Sequence, residues 1–469
     1  MPVKAEWRLD QCVGLTADLQ VRVRVASEVA DCARWFADHA RAAFGVSWRV
    51  EATVSDMPRA LPVEGYTLKL SPADGIDITA KNLTGVRYAF QTLRQLAQPK
   101  RGTMKVEGWI APACEIEDAP KMAFRGMHLC WFPEVDVKLI ERRLRLAGYY
   151  KMNHVVLENW GTFRSERHPW WGWADGSMTK GEIRRLKAIA DDLGITLVPQ
   201  FNVFGHAAMS RIVSGKHAVL DLQPEYQPLF EPHLGWNWCL SNPYACQTID
   251  ELVVEMHEAF GNPPYFHIGC DEADPPSCAE CRAQDYVGLV ASNITRVAKL
   301  LETRGARAMM WHDMLLKKGE WGMFYAKAEH GEEKMLGVVP KSIVICDWYY
   351  EGVVSTNGYP TFAHFRKAGY DLVTAPWECA DATVAQADAA RQVGALGLLG
   401  TTWHRLYKQD IGCQFVSSAA AAWGTRPEPY AFPDHWRQMG WDMHVDNYGD
   451  CGLVEEQVPS KPHAEISPL

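Results

Sequence analysis

The sequence contains no apolar run near the roughly 18 residues that a membrane-crossing helix needs, so a helical membrane protein is not expected. It has no block of like charge and no lysine-rich tail, and 48 Lys and Arg against 57 Asp and Glu leave a formal net charge of −9. Nucleic-acid binders ordinarily present a basic face, so neither a nucleic-acid nor a membrane partner is expected. The opening residues, MPVKAEWRLDQC, lack the apolar core of a secretory signal, which points to the cytoplasm. Thirteen cysteines are an odd number, and without a signal they read as free thiols in a reducing compartment. GxGxxG, Walker and GxSxG patterns are all missing, which removes the usual dinucleotide, nucleotide and serine-hydrolase signals.

What is present is an ordinary globular composition, 47% hydrophobic and 22% charged over 469 residues. That length suits two or three domains, or one large barrel with an appendage. Tryptophan is abundant, at 19 residues. Many sit where loops or strand ends are expected, among them Trp131, Trp160, Trp170, Trp171, Trp236, Trp238, Trp311, Trp348, Trp377 and Trp403. Any single one can simply fill a core. As a set they fit a carbohydrate cleft, because an indole offers a flat apolar face with a polar edge.

The first 110 residues read as a small α+β unit: a helix over 27–43, strands at 65–70 and 75–80 joined by SPADG, and a helix over 84–97. From about residue 120, short apolar strands alternate with amphipathic helices. The expected strands are 124–129, 153–158, 196–201, 265–272, 307–313, 342–348, 371–378 and 396–404. Thr179 and Glu182 form a capping-box pattern, and Gly194 closes the same helix. Eight β–α units in about 300 residues predict a (β/α)8 TIM barrel, with a doubly wound sheet as the alternative. The expected domains are 1–115 (α+β), 116–425 (barrel) and 426–469, a tail packed on the barrel. The C-terminal strand ends of such a barrel carry its active site. The positions assigned there are Arg125, His128, Glu158, Asn202, Asp271, Glu272, Trp311, Asp313, Trp348, Glu378, Trp403 and His404.

The strongest chemical signal is FHIGCDEAD at 266–274. Neighbours on a strand point to opposite sides, so Asp271 and Glu272 can reach different atoms of one substrate. Burial and mutual repulsion raise one carboxyl of such a pair and leave the other charged. One acid then protonates a leaving oxygen while its neighbour stabilises positive charge, the division that glycoside hydrolysis uses.

HxGxDE on the fourth strand resembles the catalytic motif of the β-N-acetylhexosaminidases of glycoside hydrolase family 20. Residues 64–96 resemble that family's small α+β domain, VPQFNVFGHAAM (198–209) its third-strand segment ending in Gly-His206, and MMWHDMLL (309–316) its fifth strand. KMNHVVLENWGTF is similar to the streptococcal-type and cytosolic branch. The resemblance implies removal of terminal β-linked GlcNAc or GalNAc from glycans by substrate assistance, with no cofactor required. Glu272 would be the general acid, and Asp271 would orient the 2-acetamido group that attacks C1. Arg125, in FRGMHL, would grip sugar hydroxyls. Trp311, Trp348, Trp377 and Trp403 would form an aromatic box, with Tyr349 or Tyr350 binding the acetamido oxygen, and Asp313 and Glu378 would bind outer hydroxyls. A β-GalNAc-specific or endo-acting relative, and a non-catalytic sugar-binding protein on a hydrolase barrel, are the alternatives. Oligomeric state is not legible.

The sequence also departs from the family pattern. Gln200 and Asn202 stand where the third strand usually has Glu and Asp, and Gly161 stands near the usual second-strand Asp. Those acids support the histidine; Glu158 and His128 are the candidates to replace them. Cys278 and Cys281 form a CxxC just after the catalytic pair, half of a structural zinc site that Cys239, Cys246 or His233 could complete. A full second CxxC is missing, so free thiols in a helical turn are the preferred reading and the zinc site the alternative.

Overall fold

In the computed structural model, residues 4–56, 60–133, 135–173, 176–208, 219–232, 235–321, 326–350, 358–403, 406 and 411–424 are described. They fall into two compact units.

The first unit holds β1 (Lys4–Gly14), β2 (Val21–Val25), α1 (Val29–Phe44), β3 (Val50–Val54), β4 (Tyr66–Ser71), β5 (Gly75–Ala80), α2 (Leu83–Leu96), β6 (Gln98–Arg101) and β7 (Val106–Asp118). These seven strands make one sheet in the order β1-β7-β4-β5-β2-β3, with β6 on β7. Strand β2, VRVRV, buries every second residue, the period of a strand with one covered face. Helix α1 covers it with Cys32, Trp35, Phe36, Ala40 and Phe44, the three-and-four spacing of an amphipathic helix. Only two of the seven strands were expected. β1 and β7 escape because charged residues interrupt their apolar alternation. β7 also carries the sheet to Asp118, three residues past the expected boundary, where Tyr66 Oη donates to Asp118 at 3.1 Å.

The second unit is a closed parallel barrel. Its elements are β8 (Phe124–Trp131), α3 (Val137–Tyr149), β9 (His154–Asn159), α4 (Lys180–Leu193), β10 (Thr196–Gln200), α5 (Val219–Leu222), α6 (Pro243–Ala259), β11 (Tyr265–His267), α7 (Ala279–Arg282), α8 (Tyr286–Thr303), β12 (Arg307–Trp311), β13 (Val344–Asp347), α9 (Pro360–Lys367), β14 (Asp371–Thr374), α10 (Ala380–Gln392), β15 (Gly397–Gly400) and α11 (Ile411–Trp423). Each strand pairs with its sequence neighbours, and β15 pairs with β8 to close the ring. All eight expected strands are found, and closure excludes the doubly wound alternative. Side chains fill the barrel rather than line a pore: Phe124, Val156, Val198, Met309, Val344, Val373 and Leu399 belong to one buried cluster. His404 and the tail expected over 426–469 lie outside the described residues. No described helix is long and apolar enough to cross a membrane.

Helix α4 begins and ends as its sequence dictates. Thr179 Oγ1 accepts the Glu182 amide at 3.2 Å, and Glu182 accepts the Thr179 amide at 2.8 Å. Gly194 closes the helix in the left-handed conformation, φ 75°. Thr179→Ala is expected to cost about 1 kcal/mol, the usual worth of an N-cap. Denaturant midpoints of the two proteins measure it, and an unchanged midpoint contradicts the assignment.

Candidate active site

The fourth strand, β11, is only three residues long because the chain turns left-handed just after it. Gly269, Cys270 and Glu272 have φ of 66°, 75° and 45°. Pairing to β12 nonetheless persists, with Trp311 N–H donating to the Gly269 carbonyl at 3.0 Å. The turn sends the two acids apart: Asp271 is buried, at 6% exposure, while the Glu272 side chain is one-third exposed. Five of the eight described non-glycine residues with positive φ stand at strand ends of this mouth: His206, Cys270, Glu272, Glu378 and Trp403. Such strain persists only where surroundings over-determine it. The motif glycines have the same origin. A Cβ on Gly205 would run into the Asp271 carbonyl, and one on Gly269 into Asn202.

His206 Nε2 lies 3.3 Å from Asp271 Oδ2 and 3.7 Å from Glu272 Oε2. Burial alone would lower the His206 pKa, but the charges of Asp271, Glu272 and Glu158 hold it raised. Burial raises Asp271, partly opposed by His206. Asp313, fully buried, is pushed well above the carboxylate range by burial and by Asp271. Its Oδ2 accepts the Glu272 amide at 2.8 Å, and its Oδ1 accepts Trp348 Nε1 at 3.3 Å. Trp236 stacks obliquely on His206, centroids 4.3 Å apart, and donates Nε1–H to the Glu272 carbonyl at 2.7 Å.

Behind His206 stands Glu158, fully buried. Its Oε2 lies 3.0 Å from His128 Nε2 and accepts Cys130 Sγ at 3.3 Å; its Oε1 accepts Gln200 Nε2 at 2.8 Å and Asn202 Nδ2 at 3.2 Å. Burial would raise its pKa, yet these partners, His128 foremost, hold it down to about 2.

Aromatic rings wall the mouth. Trp311 is fully buried between His267, at 4.3 Å, and Trp403, at 5.6 Å. Tyr350 lies 5.1 Å from Trp348 and 5.5 Å from Trp377, and its hydroxyl accepts Trp403 Nε1 at 2.9 Å. The field of Asp271 reaches the Tyr350 hydroxyl, whose pKa burial already raises. Tyr349 faces away: its ring meets Tyr359 at 5.0 Å, and its carbonyl accepts Gln386 of α10.

The model of the glycosyl hydrolase family 20 catalytic domain matches residues 115–408, and that of the family's domain 2 matches residues 1–119. The chain belongs to glycosyl hydrolase family 20. It is similar to a β-hexosaminidase of Porphyromonas gingivalis, 24% identical over 62% of this chain and 42% of that one. A Vibrio furnissii β-hexosaminidase is 23% identical over 74% of this chain and 57% of its own length. The chain spans about half the length of the curated relatives it matches. Two crystal structures share its fold at 19% identity. A Vibrio harveyi exo-β-N-acetylglucosaminidase bound to N-acetylglucosamine has a TM-score of 0.71, covering 98% of this chain and 77% of that one. A Bacteroides fragilis β-N-acetylhexosaminidase has 0.70, covering 96% and 95%.

Against the family expectations, the structure gathers Asp271, Glu272, His206, Trp311, Trp348, Tyr350, Trp377 and Trp403 at one mouth, with Glu378 exposed on its rim. It corrects three assignments. Arg125 is the second residue of β8, at the opposite end of the barrel; six residues of strand, roughly 20 Å, separate it from Trp131. Its guanidinium donates to the Met122 carbonyl at 2.8 Å, so it is structural. Asp313 spends both oxygens on Glu272 and Trp348, which makes it a positioning residue rather than a ligand for sugar hydroxyls. Tyr349 is outside the box. Lys327, missed in the sequence, places Nζ 3.2 Å from Glu272 Oε1; it follows a loop, where no periodic signal marks it. Cys278 and Cys281 lie beside Cys239 and Glu231. Cys246 Sγ instead points at the Leu240 carbonyl, and His233 lies outside the described residues.

Glu158 generates a pH prediction. Its folded pKa, about 2, is below the ordinary 4.5, so its stabilising contribution is complete above pH 4.5 and disappears as pH falls toward 2. Glu158→Gln is expected to cost about 3–5 kcal/mol at pH 7, as loss of one partner of a buried pair does. Denaturation at pH 7 and pH 3 should show the gap to the parent protein narrowing in acid. A gap independent of pH would remove Glu158 as the buried anion.

Proposed function

We propose that this protein is a retaining, exo-acting β-N-acetylhexosaminidase that releases terminal β-linked GlcNAc or GalNAc by substrate-assisted catalysis. One observation carries the reading: adjacent acids at the fourth strand end are split, Asp271 buried beside the aromatic box and Glu272 on the rim. Two-carboxylate retaining enzymes instead set their acids about 5 Å apart across C1, which sequence neighbours on one strand end do not readily do. The relatives named above as β-hexosaminidases support the same reading.

In this mechanism Glu272 protonates the glycosidic oxygen while the 2-acetamido oxygen attacks C1, giving an oxazolinium. Asp271 accepts the acetamido N–H and balances the positive charge that develops there. Glu272 then takes a proton from the water that opens the ring, and the two inversions restore the starting configuration. His206, whose pKa the surrounding acids raise against its burial, keeps its Nε2 within reach of both carboxylates. The tryptophans exclude water, which strengthens every charge interaction in the site.

Kinetics on a panel of aryl and natural GlcNAc and GalNAc glycosides tests the proposal. Asp271→Asn keeps size but loses charge, and should slow turnover by about two to three decades, the worth of one preorganised electrostatic contact. A thiazoline analogue of the hexosamine should bind tightly, since it copies the cyclised intermediate. A covalent sugar ester on any carboxylate, or equal hydrolysis of glycosides lacking the acetamido group, would sink the mechanism. Glu272→Gln should spare activated aryl glycosides relative to poor leaving groups, because only the latter need protonation. Equal losses on both would assign Glu272 another role.

A further inference from the structure

Beside the catalytic pair, but separate from the aromatic box, the loop after β10 meets the segment after β11. Cys239 Sγ lies 3.7 Å from Cys278 Sγ and 3.9 Å from Cys281 Sγ. Cys278 caps the short α7, and its sulfur accepts the Cys281 amide at 3.2 Å. The fourth member is Glu231, 5% exposed. Its Oε2 accepts the Ser277 amide and hydroxyl at 2.8 and 3.0 Å and the Cys278 amide at 2.6 Å. Its Oε1 is buried without a hydrogen-bond partner among the described residues. One ligand atom from each of the four residues lies within 4.8 Å of the others. Ser241 Oγ closes the cluster, 3.1 Å from Cys281 Sγ and 3.5 Å from Cys239 Sγ.

We propose that Glu231, Cys239, Cys278 and Cys281 hold a structural zinc ion that clips the loop carrying Trp236 to the segment following Asp271 and Glu272. A tetrahedral zinc with sulfur at about 2.3 Å sets its sulfurs about 3.8 Å apart. The two sulfur separations above match that spacing and are far longer than the S–S bond of a disulfide, about 2.05 Å. A buried carboxylate oxygen without a donor is costly unless a cation faces it. Three thiolates and one carboxylate form a closed four-ligand set, with no open position for water, so the ion is structural and not catalytic. The consequence for the mouth is direct. The clipped loop donates Trp236 Nε1–H to the Glu272 carbonyl, and Asn237 pairs with the backbone of Asp274 through 2.7 and 3.2 Å hydrogen bonds. That link to hydrolysis rests on the proposed function; the metal site itself does not.

Metal analysis of the full chain, purified under reducing conditions without chelator, should find about one zinc per chain, as one four-ligand site holds. Replacing the zinc with cobalt(II) should produce intense visible bands of tetrahedral thiolate ligation. Cys278→Ser with Cys281→Ser should abolish both signals, and Glu231→Gln should weaken zinc retention against a chromophoric chelator. Cys246→Ser should leave metal content unchanged. Should the double variant not fold, zinc release and cobalt spectra of the parent protein still decide the matter. Protein free of zinc that develops no cobalt–thiolate band, or zinc content indifferent to the cysteine changes, overturns the proposal. Zinc-loaded protein without hexosaminidase activity would refute the proposed function and leave the metal site standing; active, metal-free protein would do the reverse.

Discussion

The barrel mouth depends on one electrostatic constraint: Asp271 is held in a dry site against the imidazole of His206. Two buried acids, Asp271 and Glu158, act on that imidazole, a third, Asp313, lies against Asp271, and like charges in burial oppose one another's ionisation. The structure divides them by their donors. Glu158 has four donor side chains around its two oxygens and stays anionic. Asp313 has two N–H donors but faces Asp271 in full burial, and is driven toward its neutral form. Asp271 lies between these extremes, raised by burial and drawn back by His206. Environments that push paired acids apart are how one fold assigns different proton tasks. Here both carboxylates meet at His206, whose pKa the acids raise against its desolvation.

This arrangement also accounts for the departures on the second and third strands. Gln200 and Asn202 look like lost support when compared with the family's acids. In space they are amides that donate to Glu158. Carboxylates at those positions would repel Glu158 across the same short distances. The negative charge behind His206 is supplied by Glu158 on β9, and the neighbouring Gln200 and Asn202 are the donors that receive it. Those donors are required, since a buried anion without them is costly.

How much of this was legible in the sequence varied with the kind of signal. The eight strands could be read because parallel strands buried on both faces are short, nearly continuous apolar runs. The cap of α4 could be read because its partners are three residues apart. The acid pair could be read because its glycine and left-handed turn are local. What failed was direction and distance. Arg125 lies on a barrel strand, but it stands at the strand's start, a full barrel height from the mouth. Asp313 ends the expected strand over 307–313 and so resembles a sugar ligand, yet the turn at Glu272 brings a backbone amide onto it. Lys327 and Glu231 reach their partners across loops of unrelated spacing, so no periodicity announces them. In each case the missing information was a contact between segments, which a pattern within one segment does not contain.

The two tyrosines show what the contact adds. Adjacent residues just past a strand end point to opposite sides, so one of Tyr349 and Tyr350 had to enter the box, and sequence alone did not say which. The Tyr350 hydroxyl is the one that meets the box, through Trp403 and Thr401. Thr401 commits its proton to the Pro376 carbonyl at 3.0 Å, and Trp403 commits its indole proton to Tyr350. The 2.9 Å contact between Tyr350 and Thr401 must then use the tyrosine's own proton. Thr401 thus keeps the phenol satisfied in the free protein, while the rings around it hold the phenol fixed. Under the proposed function, a substrate carbonyl entering the box would compete with a neutral hydroxyl for that proton, and the exchange would require only rotation about one C–O bond. The donor is satisfied beforehand and available afterwards, which is the condition for binding an acetamido oxygen without leaving a buried hydroxyl unpaired.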